Sequence, residues 1–191
     1  MQSPKVRLSP EEKALVLDPG WILTKRSVMD KAGLLLGALA VRYQEAVSDR
    51  LPPELGGRFP KLSRGENYRG LPYLILDYPA VFDRVDVFAV RTLFWWGHYF
   101  SLTLHLKGHY KDRYLPKVLL GLASAGGTGW QVAVSEDEWV HAVEPGAYAA
   151  WNGDVTERSF FKMAWVIPLD RWDNVSDLLE ERLREVLRWL A

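Results

Sequence analysis

The chain has no cysteine, no apolar run long enough to cross a bilayer, no surplus of either charge and only four histidines. Each shortage removes a class of function. Without thiols there is no disulfide framework, no thiolate nucleophile and no Cys-ligated zinc or iron–sulfur centre. The strongest apolar run, residues 32–41, falls short of the roughly 18 residues a span requires, so no membrane association is expected. Twenty-four basic residues balance 24 acidic ones, whereas a dedicated nucleic-acid binder carries a basic excess that displaces counterions. No nucleic-acid partner is expected either. The start, Met1-Gln2-Ser3-Pro4-Lys5-Val6-Arg7, runs into Glu11 and Glu12 instead of an apolar stretch. It reads as no export signal, which makes the cytoplasm the expected compartment.

What is present describes a soluble globular chain of 191 residues, 48% of them hydrophobic, read as one domain over 1–191. Ser9-Pro10-Glu11-Glu12 carries a capping box and proline at the first helical position, so a short helix starts at Pro10 and ends at Asp18-Pro19-Gly20. From about Thr24 to Asp49 apolar residues recur at helical spacing, which gives a long amphipathic helix. Gly33 and Gly37 lie four apart on it and point to close approach of a neighbour, either within the chain or across a dimer seam. Residues 51–72 read as irregular. Strands follow at 73–78, 85–95, 98–107 and 160–169, with a tight turn at Trp96-Gly97 and a second hairpin formed by 129–135 and 138–143. The end is an amphipathic helix after Asn174, with Val175, Leu179, Leu183, Val186, Leu187 and Leu190 on one face. The fold class is therefore α+β: a central antiparallel sheet flanked by a long N-terminal helix and a C-terminal amphipathic one.

Histidine placement argues against a metal. His98 and His105 have opposite parity on one strand, His109 follows a strand end, and Glu138 and His141 fall on opposite faces of theirs. Residues 121–128 have the spacing of a phosphate-binding loop, but Gly127 stands where the lysine is needed and a strand pattern follows. No cofactor is expected. Strand parity places Phe94, Trp96, His98, Phe100, Leu102 and Leu104 on one face, an apolar core, and Arg91, Leu93, Trp95, Tyr99, Ser101, Thr103 and His105 on the other.

That second face, together with the polar segment at 64–73, forms the candidate site. Arg64, Glu66, Asn67, Tyr68 and Arg69 on a loop, with Asp77, Arg91, Tyr99 and His105 on the sheet, would grip a polar or anionic small molecule. If the protein is an enzyme, His105 or Asp77 is the acid–base candidate and the arginines are the clamp, but no reaction type follows. A second reading is an interaction or scaffold protein acting through a homodimer or partner interface, with tryptophan, tyrosine and arginine as anchors. Charge adds to it: residues 1–69 carry +4, 70–135 carry +2 and 136–191 carry −6. The acidic end can dock on the basic beginning, within one chain or between two. A third reading, glycan binding by the nine tryptophans, is weakened by the missing export signal.

Overall fold

A computed structural model describes residues 6–48, 50–153 and 158–191. Seven strands form one antiparallel sheet: β1 (Lys61–Tyr68), β2 (Leu71–Phe82), β3 (Val87–Trp95), β4 (Tyr99–Lys107), β5 (Trp130–Ala133), β6 (Tyr148–Ala150) and β7 (Phe160–Pro168), in the order β1-β2-β3-β4-β7-β5-β6. The helices are α1 (Pro10–Leu17), α2 (Pro19–Val47), the single turn α3 (Pro53–Gly56), α4 (His109–Ser124) and α5 (Val175–Leu190), the last preceded by a 3-10 stretch at Leu169–Asn174. The expected α+β architecture is present.

Local chemistry accounts for the helix starts. Ser9 Oγ accepts from Glu12 N at 3.2 Å while the Glu12 carboxylate accepts from Ser9 N at 2.7 Å. Asp18 Oδ1 then accepts from Gly20 N at 2.8 Å, so the residues that end α1 also start α2, several residues before the expected Thr24. Asn174 precedes α5 without a side-chain cap bond; its Oδ1 accepts from Arg171 Nε instead.

The helix-facing side of the sheet is mostly apolar and is covered from β2 to β7. Leu74 and Leu76 of β2, Phe88 and Phe94 of β3, Phe100, Leu102, Leu104 and Leu106 of β4, and Met163 of β7 form one cluster with Met29, Leu36 and Leu39 of α2, Val118 and Leu122 of α4, and Leu183 and Leu187 of α5. Helix α5 touches both α2 and α4. Arg42 of α2 binds Asp177 and Glu180 of α5, so the acidic end meets the basic beginning within one chain.

The structure departs from the sequence reading at five places. Residues 61–68 are a strand, β1, which forms a hairpin with β2 through a turn in which Arg69 (φ 53°) and Gly70 (φ 84°) both adopt left-handed geometry. Such a pair suits a two-residue hairpin because it matches the strand twist. His109–Ser124, right after the strand end, is a helix for which no element was expected; Tyr110, Tyr114, Val118 and Leu122 recur every four residues, and Gly121 leaves room for the Trp189 indole of α5. Residues 138–143 form no strand; β5 pairs with β6 instead. A Cβ built on Gly33 or Gly37 would meet nothing within 4 Å among the described residues, so the close neighbour expected there is not supplied within the chain. His98, too, leaves the core face, because the turn spans 96–98 and stacks its ring on Trp95 at 3.6 Å.

Candidate functional site

The other side of the sheet is covered by residues 134–147, a strap whose ends meet where Val134 N and Ser135 N both donate to Ala147 O. A strap without a ladder leaves its N–H and C=O groups in need of partners, since an unmade buried hydrogen bond costs about 1–3 kcal/mol. Side chains of the sheet supply them. Tyr68 OH accepts from His141 N and Ala142 N, and Tyr99 OH accepts from Val143 N at 2.7 Å. Lys162 Nζ donates to the carbonyls of Glu138 (2.9 Å) and Val140 (2.6 Å), and Arg158 Nη1 donates to that of Ser135.

Beneath the strap lies a second layer of polar groups bound to one another. Asp77 and Arg91 stand directly opposite in the β2–β3 register and form a bidentate pair, Nε–Oδ1 2.7 Å and Nη2–Oδ2 2.9 Å. Arg91 Nη1 sits 3.2 Å from Nε2 of His141, and its guanidinium lies over the Phe82 ring. Glu138 reaches down from the strap to Lys107 Nζ at 2.7 Å and His105 Nε2 at 3.1 Å. Burial, reinforced by Lys162, Arg91 and Lys107, pushes His105 down to about 3, so it is neutral and donates Nε2–H to Glu138. Burial and Arg91 push His141 down to about 3 as well. Desolvation lowers Lys162 to about 8. Burial pushes Tyr99 up to about 12. The layer thus sets the cations Arg91, Lys107 and Lys162 against the carboxylates Asp77 and Glu138, with Asp137 of the strap also acting on Lys162 and His141.

Space in the layer is small. A cavity of about 10 Å³, room for about one water, is lined by Phe82, Ala89, Arg91, Thr103, His105, Trp139 and Lys162. On the outside, an open depression of about 540 Å³ is lined by Gly57, Arg58, Phe59, Lys61, Asp77, Ala80 and Phe82. Phe82 and its neighbour Trp139 stand between the two spaces, ring centroids 6.3 Å apart. Neither Arg58 nor Lys61 has a salt-bridge partner among the described residues.

The nine residues expected at a site are divided by this arrangement. Asp77, Arg91 and His105 belong to the buried layer, while Tyr68 and Tyr99 hold the strap. Asn67 closes the hairpin turn by accepting from Gly70 N, and Arg69 pairs with Glu144 at the strap's edge. Arg64 and Glu66 turn toward α2, where Arg64 meets Asp30 and Glu66 meets Lys25. Lys107, Glu138, His141 and Lys162 join the layer without having been put forward from sequence. Lys162 did carry a signal, a lone cation between Phe160-Phe161 and Met163-Ala164. Among the described residues no group of three His, Asp or Glu is placed to hold a metal, and no helix is long and apolar enough to cross a membrane. The chain matches no family model, no curated protein and no solved structure.

Proposed function

We propose that the protein binds a small anionic molecule, a carboxylate or phosphate, in the depression at the β2 end of the polar layer. Arg58 and Lys61 are its outer clamp, Phe59 and Phe82 its apolar walls, and Asp77, whose carboxylate is held by Arg91 outside the lining, its floor. The carrying observation is electrostatic: two cations with no salt-bridge partner among the described residues rim a space of ligand size whose one lining carboxylate, Asp77, is already neutralised by Arg91. A positive field in a low-dielectric wall attracts anions and acts over several ångströms. The expected cytoplasmic setting remains part of this proposal.

The test is calorimetric titration, at constant ionic strength, of the intact chain with a panel of small mono- and dicarboxylates and phosphate esters. Binding by at least one compound, lost in Arg58→Ala/Lys61→Ala with the melting temperature unchanged, supports the reading. Both side chains are exposed, so the double variant folds. No heat with any anion, or equal binding by the double variant, refutes it.

A further inference from the structure

Helix α2 buries one apolar face and carries a shorter apolar patch, Leu34, Ala38 and Val41, on the side this chain leaves open. The inner face, Met29, Ala32, Leu36, Leu39, Tyr43 and Ala46, is buried against the sheet and α5. On the outer side Ser27, Lys31, Leu34, Ala38, Val41, Glu45 and Ser48 are all exposed, Leu34 by 76% and Val41 by 55%. Their spacing alternates between four and three residues throughout, the repeat by which two helices keep one seam in register. Apolar residues hold the middle of the stripe and a charge stands on each side: Lys31 lies seven residues before Ala38 and Glu45 seven after. Neither charge has a salt-bridge partner among the described residues.

We propose that this face binds a second copy of the chain, α2 packing antiparallel on its partner's α2 about a two-fold axis at Ala38. In that register Lys31 of each copy meets the partner's Glu45, twice, and Leu34 lies beside the partner's Val41. A parallel pair would instead set lysine against lysine and glutamate against glutamate. The charge pattern is therefore complementary to itself in one orientation only, as a two-fold interface requires. Gly37 and Ala38 at the crossing allow the axes to approach to the short end of the usual 8–10 Å, and the space outside Gly37 is empty within the chain.

The same register gives the N-terminal arm a covering. Helix α1 buries no residue, and Trp21, Ile22 and Leu23 at the start of α2 are exposed by 62–65%. With the axis at Ala38, everything before about residue 28 overhangs the end of the partner's α2, which carries this apolar arm across the partner's body.

Because the chain has no cysteine, single cysteines report the geometry directly. The full chain is expected at twice its 21.9 kDa mass by light scattering at micromolar concentration, and Ala38→Cys is expected to form a disulfide-linked dimer on mild oxidation. Lys31→Cys is expected not to cross-link, since the two copies lie about 21 Å apart at 1.5 Å per residue, beyond the roughly 7 Å reach of a disulfide. Lys31→Cys/Glu45→Cys is expected to cross-link between copies. Lys31→Glu should weaken the dimer about tenfold, each exposed pair contributing up to ~1 kcal/mol, and Lys31→Glu/Glu45→Lys should restore it. A monomer throughout the micromolar range, or a Lys31→Cys variant that links to itself, overturns the proposal. None of these residues lines the anion depression, so either reading can fail alone.

Discussion

Replacing Asp77 with alanine leaves the Arg91 guanidinium facing its β2 neighbour with no countercharge. The Arg91 side chain is 17% exposed and that of Asp77 8%, so little water can take the carboxylate's place. Removing one partner of a buried ion pair costs about 3–5 kcal/mol because the survivor stays desolvated and unpaired. The residual exposure of Arg91 and its contact with His141 put this site near the lower end, about 3 kcal/mol. For a chain of this size that is a fall in Tm of about 6–12 °C. Arg91→Met, which leaves the carboxylate buried, should cost a similar amount. The double variant Asp77→Ala/Arg91→Met removes both charges together and should lose far less than the two single losses combined, with a coupling of roughly 2–3 kcal/mol. Urea unfolding followed by tryptophan fluorescence measures all four proteins, with an unchanged m-value as the check that the transition is the same. Additive losses in the double variant, or a loss under about 0.5 kcal/mol in Asp77→Ala, would refute the assignment of a desolvated pair.

Two further outcomes follow from the buried layer and the helix contact. The folded-state values of His105 and His141 lie near 3, below the ordinary 6.5, so below pH 6.5 the unfolded chain binds protons that the folded one excludes. Stability should fall as pH drops through 6.5, by up to about 1.4 kcal/mol per pH unit for each histidine. Unfolding measured between pH 7 and 5, above most carboxylate titration, should flatten in His105→Gln/His141→Gln; an unchanged slope contradicts the burial of these rings. At the α4–α5 contact, a Cβ on Gly121 would stand 2.2 Å from Cγ of Trp189. Gly121→Ala should therefore destabilise by about 1–3 kcal/mol through overpacking despite alanine's better helix propensity, and a gain in Tm would show that the helices separate freely.

Sequence periodicity reveals an element when burial acts on the residues that carry the pattern. Strand β4 alternates apolar and polar because one side meets helices and the other the strap, β3 reads as a strand from its near-continuous β-branched and aromatic residues, and α5 has six buried positions at helical spacing. Edge strand β1 hides because Lys61, Ser63, Arg64, Glu66 and Asn67 lack the β-branched and aromatic character of a half-buried strand. Helix α4 hides behind Pro116 and Gly121, each a breaker by rule; Pro116 is accommodated inside the helix and Gly121 is needed for Trp189. The strap's Trp139-Val140-His141 alternates like a strand, yet its hydrogen bonds come from Tyr68 and Tyr99, 44 to 74 positions away in sequence. No local pattern carries that information. The same applies to the site: Asp77, Arg91, Tyr99 and His105 share a face by parity alone, while Arg64 and Glu66 leave it because β1 is a strand whose polar side chains reach α2.

The two faces of the sheet meet one requirement by different means. Helices satisfy their own backbone groups, so the face beneath α2, α4 and α5 can be almost wholly apolar. An irregular strap cannot, and every backbone group it buries asks for a polar atom on the sheet. That requirement accounts for Tyr68, Tyr99, Lys162 and Arg158, each of which bonds strap backbone. It does not account for Asp77, Arg91, Lys107 or His105, which bind only other side chains. Apolar residues of similar volume at these four positions would cover the sheet at equal or lower cost, since a buried ion pair rarely outdoes good packing. Charges that the packing of the sheet does not require are the residues on which the proposed site rests. Under the proposed function the use of the Asp77–Arg91 pair is the depression rimmed by Arg58 and Lys61, whose one lining carboxylate Arg91 neutralises.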